Sequence, residues 1–321
     1  MKDTYGREID YMRVSVTDRC NLRCKYCMPE TMPFVSHDEI LRSEEIVRVC
    51  RLASELGIKN IRITGGEPLV RRGVMDLLRE IKKLPLVEHL ALTTNGVLLE
   101  QYAKELADIK LDGVNISLDT LSPATYHSLT GVDAFDDAWR GIEAVLETDI
   151  RVKLNCVPLR GINEGEYAKI AALAEERRID VRFIEAMPVG EGKEFAPIDG
   201  ESILNELRTV YPDLKVGSKK RGLGPARYFV GALKGSIGFI NAMSSCFCEK
   251  CNRIRLTSVG MLKLCLYHDD AVDLGILLKN GASDDEIKAA VTRAVLEKPE
   301  KHDFTGGQAP GEGKKMWQIG G

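Results

Sequence analysis

The chain of 321 residues has no apolar segment at its amino terminus, and no apolar run approaches the roughly 18 residues of a membrane-spanning helix. It also lacks a long block of like charge, and its formal net charge is only -3, so no nucleic-acid-binding tail is predicted. The phosphate-binding loop Gly-x4-Gly-Lys-Ser/Thr is missing as well. We therefore expect a cytoplasmic protein that binds neither a membrane nor nucleic acid.

The chain does have nine cysteines, and six of them form two trios. Thiols clustered at short spacing in a cytosolic protein are typically metal ligands, and an odd total argues against full disulfide pairing. The first trio lies in the polar string CNLRCKYC, where a buried core cysteine would be unusual. The trios are Cys20, Cys24 and Cys27, and Cys248, Cys251 and Cys265.

Each trio has one thiolate fewer than the four protein ligands of a structural zinc site or an ordinary iron-sulfur cluster. Three ligands therefore indicate an iron with one open position, which favours chemistry over a structural role. Zinc remains an alternative at both trios. It has more support at the second, because His268 could complete a zinc site and Cys246 is an additional thiol nearby.

Strand-like runs alternate with amphipathic helical stretches in the first part of the chain. This alternation predicts βαβ units around a parallel sheet. Six units are fewer than the eight of a closed barrel, so we expect an α/β fold: a partial, laterally open, TIM-like (β/α)6 barrel over residues 1–188. The runs are Met12 to Thr17, Asn60 to Thr64, His89 to Thr94, Val114 to Asp119, Arg151 to Val157 and Asp180 to Met187.

The alternation stops after Pro188, and residues 189–321 are predicted to form a smaller C-terminal α+β region that carries the second trio. It contains the helix-like string ESILNELRTVY, four hairpin-like runs and a last helix that Ser283 and Glu286 begin with a capping box. The four runs are Arg227 to Val230, Ser236 to Ile240, Arg253 to Thr257 and Met261 to Leu266.

Two motifs directly follow the first two strand-like runs. The first trio follows run one, and Gly65, Gly66, Glu67 and Pro68 follow run two. Paired glycines would let the backbone approach a ligand closely, and the carboxylate could receive an ammonium group. Because parallel strands present their carboxyl ends at one edge, both motifs are expected at the same site.

Cys-x3-Cys-x2-Cys after strand one, with Gly-Gly-Glu-Pro after strand two, resembles the radical S-adenosylmethionine superfamily. The resemblance implies a 4Fe-4S cluster on Cys20, Cys24 and Cys27, with S-adenosylmethionine on its fourth iron. It also implies a 5′-deoxyadenosyl radical that abstracts a substrate hydrogen. The positions that match S-adenosylmethionine contacts are Tyr26, Gly66, Ser117 and Met187.

Within that superfamily, TDRCNLRCKYCMP, IRITGGEPLVRRG, TTNG, NISLDTL, RFIEAMPVG and CNRIRLT are similar to the family of GTP 3′,8-cyclases of molybdenum cofactor biosynthesis. The similarity runs nearly end to end. It implies a lyase that converts GTP to (8S)-3′,8-cyclo-7,8-dihydroguanosine 5′-triphosphate by hydrogen abstraction at C3′ and attack on C8. It further implies an external one-electron donor, a downstream cyclic pyranopterin monophosphate synthase, and compatibility with a homodimer.

The same similarity assigns further residues of the site. It places a second 4Fe-4S cluster on Cys248, Cys251 and Cys265, with guanine at its open iron, and a catalytic role on the terminal Gly320 and Gly321. The positions that match GTP contacts are Arg13, Arg62, Thr93, Lys153, Arg253, Ile254 and Arg255, with Arg182 as a further candidate.

Charge supports those cations independently, since a triphosphate with about four negative charges needs several Arg or Lys donors. The strand period of two places Arg62 with Thr64, and Lys153 with Asn155, on one face each. Strands buried on both faces should read as apolar runs, so these stripes predict a polar lumen that holds ligands. A solvated surface strand is the alternative for any single pair.

Two other functions remain open from the sequence alone. One is a radical S-adenosylmethionine maturase that acts on a peptide or another small molecule, because auxiliary clusters occur in such enzymes too. The other is a zinc-stabilised binding domain without catalysis. Cys50, Cys156 and Cys246 have no assigned role, and Cys50 is predicted to lie in the core.

Overall fold

The computed structural model describes residues 1–28, 35–218, 221–303 and Ile319. The strands are β1 Tyr11–Ser15, β2 Asn60–Thr64, β3 His89–Thr94, β4 Gly113–Ser117, β5 Arg151–Cys156, β6 Ile179–Ile184, β7 Lys215–Val216, β8 Arg227–Val230, β9 Ser236–Ile240, β10 Arg253–Leu256, β11 Met261–Lys263 and β12 Ala271–Asp273. The helices are α1 Ser43–Glu55, α2 Val74–Lys82, α3 Leu99–Asp108, α4 Pro123–Thr130, α5 Phe135–Leu146, α6 Tyr167–Glu176, α7 Gly200–Val210, α8 Leu274–Lys279 and α9 Asp284–Leu296.

All of these strands belong to one sheet, in the order β12-β11-β10-β1-β2-β3-β4-β5-β6-β9-β8-β7. Strands β1 to β6 run parallel in chain order, and at least one helix follows each of β1 to β5 before the next strand. The sheet does not close, because β7 and β12 are its two ends. The prediction of an α/β fold with a partial, laterally open six-unit barrel is confirmed.

Alternating side chains give the two faces of the barrel strands different characters. In β5, Val152 and Leu154 are buried in the core, while Lys153 and Asn155 line an internal cavity. In β2, Ile61 and Ile63 lie in the core, while Arg62 faces the cavity. Apolar residues thus pack against the surrounding helices, and polar residues form the lumen that the period of two predicted.

The strands beyond residue 188 extend the sheet at both ends. Strand β10 pairs parallel with β1, and β9 pairs parallel with β6. The predicted hairpins are present as antiparallel pairs, β8 with β9 and β10 with β11. Their parallel contacts with the barrel strands did not follow from local sequence, and they make the sheet continuous across the predicted domain boundary at 188.

The last helix packs against the first one. As predicted, Ser283 and Glu286 form the capping box that begins α9. The Asp284 carboxylate receives Arg48 Nε at 2.8 Å and Arg51 Nη2 at 2.6 Å, both from α1. These contacts fasten the C-terminal region to the barrel.

Among residues 1–28, 35–218 and 221–303, no helix combines the length and the apolar character needed to cross a membrane.

Candidate active site

The lumen of the barrel contains a cavity of about 510 Å³, which is the size of a small-molecule site. Side chains from β1 to β6 and from the loops after them line it. The structure brings together most of the predicted site residues in this one cavity. They are Cys20, Cys24, Cys27, Tyr26, Gly66, Ser117, Met187, Arg13, Arg62, Thr93, Lys153, Arg182 and Arg253.

The first trio lies directly after β1, with its three free thiols half-buried. The backbone N–H of Leu22 lies 3.4 Å from Cys20 Sγ, and Asn95 Nδ2 lies 3.7 Å from it. Burial raises the pKa of Cys20 to about 11 and that of Cys27 to about 12, and it raises the pKa of Cys24 well above its usual value. Because a coordinated metal deprotonates such thiols outright, the donor set fits an iron site with three protein ligands.

A hydrogen bond ties the loop of the first trio to the ends of two strands. Tyr26 donates to Asp119 Oδ2 at 2.7 Å, and the backbone N–H of Val157 donates to Asp119 Oδ1 at 2.8 Å. Burial raises the pKa of Asp119 to about 6. Close by, Asn155 Oδ1 is buried and has no hydrogen-bond partner among the described residues, so it is available to a ligand.

The Gly-Gly-Glu-Pro motif lies beside the first trio, with Gly65 and Gly66 lining the cavity as expected. A Cβ at Gly66 would overlap the carbonyl oxygen of Arg19, so the neighbouring backbone already occupies the space that the glycine provides. The Glu67 carboxylate accepts from Thr94 Oγ1 at 2.8 Å and from the backbone N–H groups of Asn95 at 2.7 Å and Leu69 at 3.0 Å. These three donors hold the Glu67 carboxylate in place, the expectation that it receives an ammonium group stays a prediction, and Gly66 lines the cavity.

Three arginines lie side by side on neighbouring strands. Arg13 on β1 is in register with Arg255 on β10 and with Arg62 on β2. Burial, reinforced by Arg255, lowers the pKa of Arg13 well below its usual value, and burial with Arg253 lowers the pKa of Arg255 to about 10. Like charges in neighbouring positions of a sheet repel each other, so this wall is suited to an anionic ligand.

Lys153 and Arg182 extend the cationic wall to the other side of the barrel. Lys153 Nζ donates to Tyr228 Oη at 2.9 Å and to the carbonyl oxygen of Arg221, and it lies 3.5 Å from Asp180 Oδ2. Burial, together with Arg182, lowers the pKa of Lys153 to about 8. The ammonium group is therefore close to its titration range at neutral pH.

Tyr11 is a cavity residue that was not predicted as part of the site. Arg62 Nε donates to the Tyr11 hydroxyl, and Arg62 Nη1 lies 3.5 Å from Thr93 Oγ1. Burial alone would raise the pKa of Tyr11, but Arg62 and Arg13 outweigh it, and the pKa is lowered. Its spacing of two from Arg13 was the available signal, because both residues of β1 face the lumen.

The second trio lies outside the cavity lining, at the other edge of the barrel. Cys251 precedes β10, which runs parallel to β1, whereas Cys20 follows β1. Arg253 connects the two places, because it lines the cavity and its Cζ lies 4.8 Å from the centroid of the Phe247 ring. Burial would raise the pKa of Cys251, but Lys298 and Arg253 outweigh it and lower that pKa.

The remaining predicted residues occupy varied positions. Ile254 packs its side chain in the core, so only its backbone can meet a ligand, and Arg255 is buried beside Arg13. Cys50 is buried in the core, as predicted, and so is Cys156. Gly320 and Gly321 lie outside the described residues, and Ile319 just before them is buried.

Comparison with known proteins gives consistent matches over the whole chain. The family model "Radical SAM superfamily" matches residues 14–174, and "Molybdenum Cofactor Synthesis C" matches residues 179–304. A GTP 3′,8-cyclase of Clostridium perfringens (strain 13 / Type A) is 45% identical, and one of Heliobacterium modesticaldum is 46% identical. Each alignment covers 100% of both chains.

Solved structures of lower similarity share the fold. Streptococcus suis SuiB bound to S-adenosylmethionine superposes with a TM-score of 0.65 at 16% identity, covering 92% of this chain and 72% of that one. At this identity the likeness shows the architecture alone, whereas the full-length relatives above show the family. The chain therefore belongs to the family of GTP 3′,8-cyclases within the radical S-adenosylmethionine superfamily.

Proposed function

We propose that the chain converts GTP to (8S)-3′,8-cyclo-7,8-dihydroguanosine 5′-triphosphate, the first step of molybdenum cofactor biosynthesis. The observation that carries the proposal is that one cavity is lined both by three thiols that can bind a metal and by a group of Arg and Lys side chains. The full-length GTP 3′,8-cyclase relatives support the same reading.

Membership of the superfamily implies one 4Fe-4S cluster and S-adenosylmethionine as cofactors. Cys20, Cys24 and Cys27 would hold the cluster. Tyr26, Gly66, Ser117 and Met187 line the adjoining cavity and would contact S-adenosylmethionine. When bound, the cluster would supply one electron to S-adenosylmethionine, which would release methionine and provide the 5′-deoxyadenosyl group that takes a hydrogen atom from C3′ of the ribose.

The chain's own residues bind and orient GTP. Arg13, Arg62, Lys153 and Arg182 neutralise the triphosphate, and the carboxylates near them are few, so the cavity keeps a net positive charge. Thr93 lies within reach of Arg62 and adds a hydroxyl to that wall. A substrate bound in this orientation would hold its ribose next to the loop of the first trio, which lowers the entropic cost of reaching the reactive geometry.

The second trio would hold a second 4Fe-4S cluster at the opposite end of the substrate. Cys248, Cys251 and Cys265 lie near the amino end of β10, and Arg253 extends from the same strand end into the cavity. Guanine would therefore lie toward β10, with Arg253 and Arg255 beside it. Lys298, which is buried and lowers the pKa of Cys251, favours the thiolate form of that ligand.

The terminal Gly320 and Gly321 would complete the site. Burial of Ile319 supports this part of the proposal, because it indicates that the chain packs on the protein at that residue. Deleting only the two glycines should abolish turnover and leave GTP binding measurable. Unchanged turnover in that variant would remove the tail from the mechanism.

The reaction also needs partners outside the chain. An external one-electron donor must reduce the first cluster, and a cyclic pyranopterin monophosphate synthase would consume the product. A cytoplasmic location and a homodimer stay predictions.

The decisive experiment uses anaerobically reconstituted protein with GTP, S-adenosylmethionine and dithionite. We expect 5′-deoxyadenosine to form in step with GTP consumption, and Cys24→Ala to abolish both. Cys50→Ala is the matched control, since it removes a thiol from the core and leaves the cavity intact.

Formation of 5′-deoxyadenosine only with an added peptide would favour a maturase instead. Bound zinc in place of about eight irons would favour a non-catalytic binding domain.

A further inference from the structure

A group of three potential metal ligands lies beside the second trio and includes two residues outside it. The ligand atoms of Cys246, Cys248 and His302 all lie within 4.8 Å of one another. Cys246 is exposed, and Cys248 and His302 are half-buried. Only Cys248 belongs to the proposed second cluster site, so Cys246 and His302 have no role in the reaction described above.

Local structure holds the two thiols together. In the string Cys246-Phe247-Cys248 only one residue separates the two cysteines, and the backbone N–H of Cys248 donates a hydrogen bond to Cys246 Sγ at 3.4 Å. In addition, Arg7 Nη1 donates to the carbonyl oxygen of Cys248 at 3.0 Å. The backbone at Cys248 is thereby fixed, while the exposed Cys246 side chain is free to adjust.

The dimensions suit one small ion. Zinc binds thiolate sulfur at about 2.3 Å and imidazole nitrogen at about 2.0 Å, so tetrahedral ligand atoms lie roughly 3.3–3.8 Å apart. The ligand atoms, which lie within 4.8 Å of one another, must therefore come about 1 Å closer together. The exposed Cys246 side chain can make this movement. A site of two thiolates and one imidazole suits Zn²⁺ and disfavours hard cations such as Mg²⁺.

His268, the histidine that the sequence suggested for a zinc site, is engaged elsewhere. Its Nε2 lies 2.9 Å from the carbonyl oxygen of Lys301, and its ring packs edge-to-face on Tyr267. His302 instead occupies the position next to the thiols that the sequence suggested for His268. Residue 302 is 37 positions after Cys265 in the sequence, so spacing could not reveal this ligand.

We propose that Cys246, Cys248 and His302 form a binding site for a thiophilic divalent cation of the Zn²⁺ class, with its fourth position open to solvent. The site shares Cys248 with the second trio. If the second cluster forms as proposed above, an ion here and that cluster exclude each other, because one thiolate cannot serve both. Zinc occupancy would then control whether the second cluster assembles.

The first test measures Co²⁺ binding to the cluster-free protein, since tetrahedral thiolate coordination of Co²⁺ gives intense visible absorption. We expect Cys246→Ala and His302→Ala to remove one site or to weaken it at least about tenfold, the smallest loss usual even for an outer-shell partner. Ser245→Ala and His268→Ala are the matched controls and should bind like the wild type. Equal Co²⁺ binding by wild type and Cys246→Ala would overturn the proposal.

The second test measures iron after the cluster-free protein has been loaded with Zn²⁺ and then reconstituted. The wild type should contain about four irons fewer than Cys246→Ala after the same treatment, because only the wild type retains zinc at Cys248. Equal iron contents would overturn the shared-ligand part. Because Co²⁺ binding is read without GTP, a failure of the cyclase reaction would leave this test intact. Melting curves of each variant verify that it folds.

Discussion

At the scale of single residues, we predict that Lys153 makes GTP binding depend on pH. Its pKa is lowered to about 8 by burial and by Arg182, whereas the terminal phosphate, with a second pKa of about 6, is already ionised. A bound triphosphate favours the charged ammonium, so binding takes up a proton above pH 8. We expect GTP affinity to fall by up to about tenfold per pH unit above pH 8 in calorimetric titrations.

Lys153→Arg is the control for this dependence. Arginine stays charged across the whole range, so the decline in affinity above pH 8 should disappear, even though the geometry of the contact changes. A decline of the same steepness in Lys153→Arg would assign the titration to another group.

A second residue-scale prediction concerns Gly66. An added Cβ would overlap the carbonyl oxygen of Arg19, and the backbone there leads directly into the first trio. Gly66→Ala should therefore reduce the iron bound at the first trio and lower the melting temperature. The control is Gly73→Ala, where no atom lies within 4 Å of the new Cβ and only its left-handed φ of 72° is strained, costing roughly 1–2 kcal/mol. Normal iron content in Gly66→Ala would contradict the assigned role.

At the scale of elements, we predict that the buried arginines on three neighbouring strands, Arg255, Arg13 and Arg62, lower the stability of the ligand-free protein and strengthen GTP binding. Replacing buried ion pairs or triads with apolar side chains of similar volume is often neutral or stabilising, by up to about 1–4 kcal/mol, and repulsion from neighbouring like charges adds to the cost of burying Arg13. Arg13→Met should raise the free energy of unfolding of the ligand-free protein and weaken GTP binding. Urea unfolding and calorimetry measure the two effects. A loss of stability without GTP would contradict the idea of a strained cationic wall.

The elements show where sequence reasoning succeeds. Strands β2 and β3 begin and end where the sequence predicted, because their alternation is local and their turns are clear. The parallel pairing of β10 with β1 links residues about 240 positions apart, and no local pattern encodes such contacts. The packing of the whole barrel determines which strands pair. The predicted division of the chain at residue 188 therefore did not indicate that one sheet continues across it.

The candidate site follows the same rule. Spacing alone identified Cys20, Cys24 and Cys27, and the period of two identified Arg62 and Lys153 as facing one lumen. The hydrogen bonds of Glu67 could not be predicted, because they come from Thr94 at the end of β3 and from Asn95 just after it, 27 and 28 positions away. Tyr11 was overlooked because an aromatic residue in a strand is ordinarily part of the core.

At the scale of the whole molecule, the continuous sheet predicts that residues 1–188 do not fold alone. Removing the rest of the chain uncovers the edge of β1 that pairs with β10 and the edge of β6 that pairs with β9. Two long unpaired edges favour aggregation. We expect the fragment to aggregate or to show no cooperative thermal transition by circular dichroism.

A chain that lacks only Gly320 and Gly321 is the appropriate control, since it keeps both strand pairings. It should melt cooperatively, at the temperature of the full chain. A soluble 1–188 fragment with a sharp transition would establish an independent domain with its boundary at 188.

The parallel pairing of β1 with β10 also has a consequence for substrate length. Cys20 follows β1, and Cys248 and Cys251 precede β10, so the five-residue strand β1 lies between the two trios and spans about 16 Å along the strand, at about 3.3 Å per residue. This strand pairing therefore sets a minimum length for any ligand that contacts both trios. We expect inorganic triphosphate to bind the cations but to be too short to reach both ends, whereas a nucleoside triphosphate should be long enough. We therefore expect the protein to select its substrate by length as well as by charge.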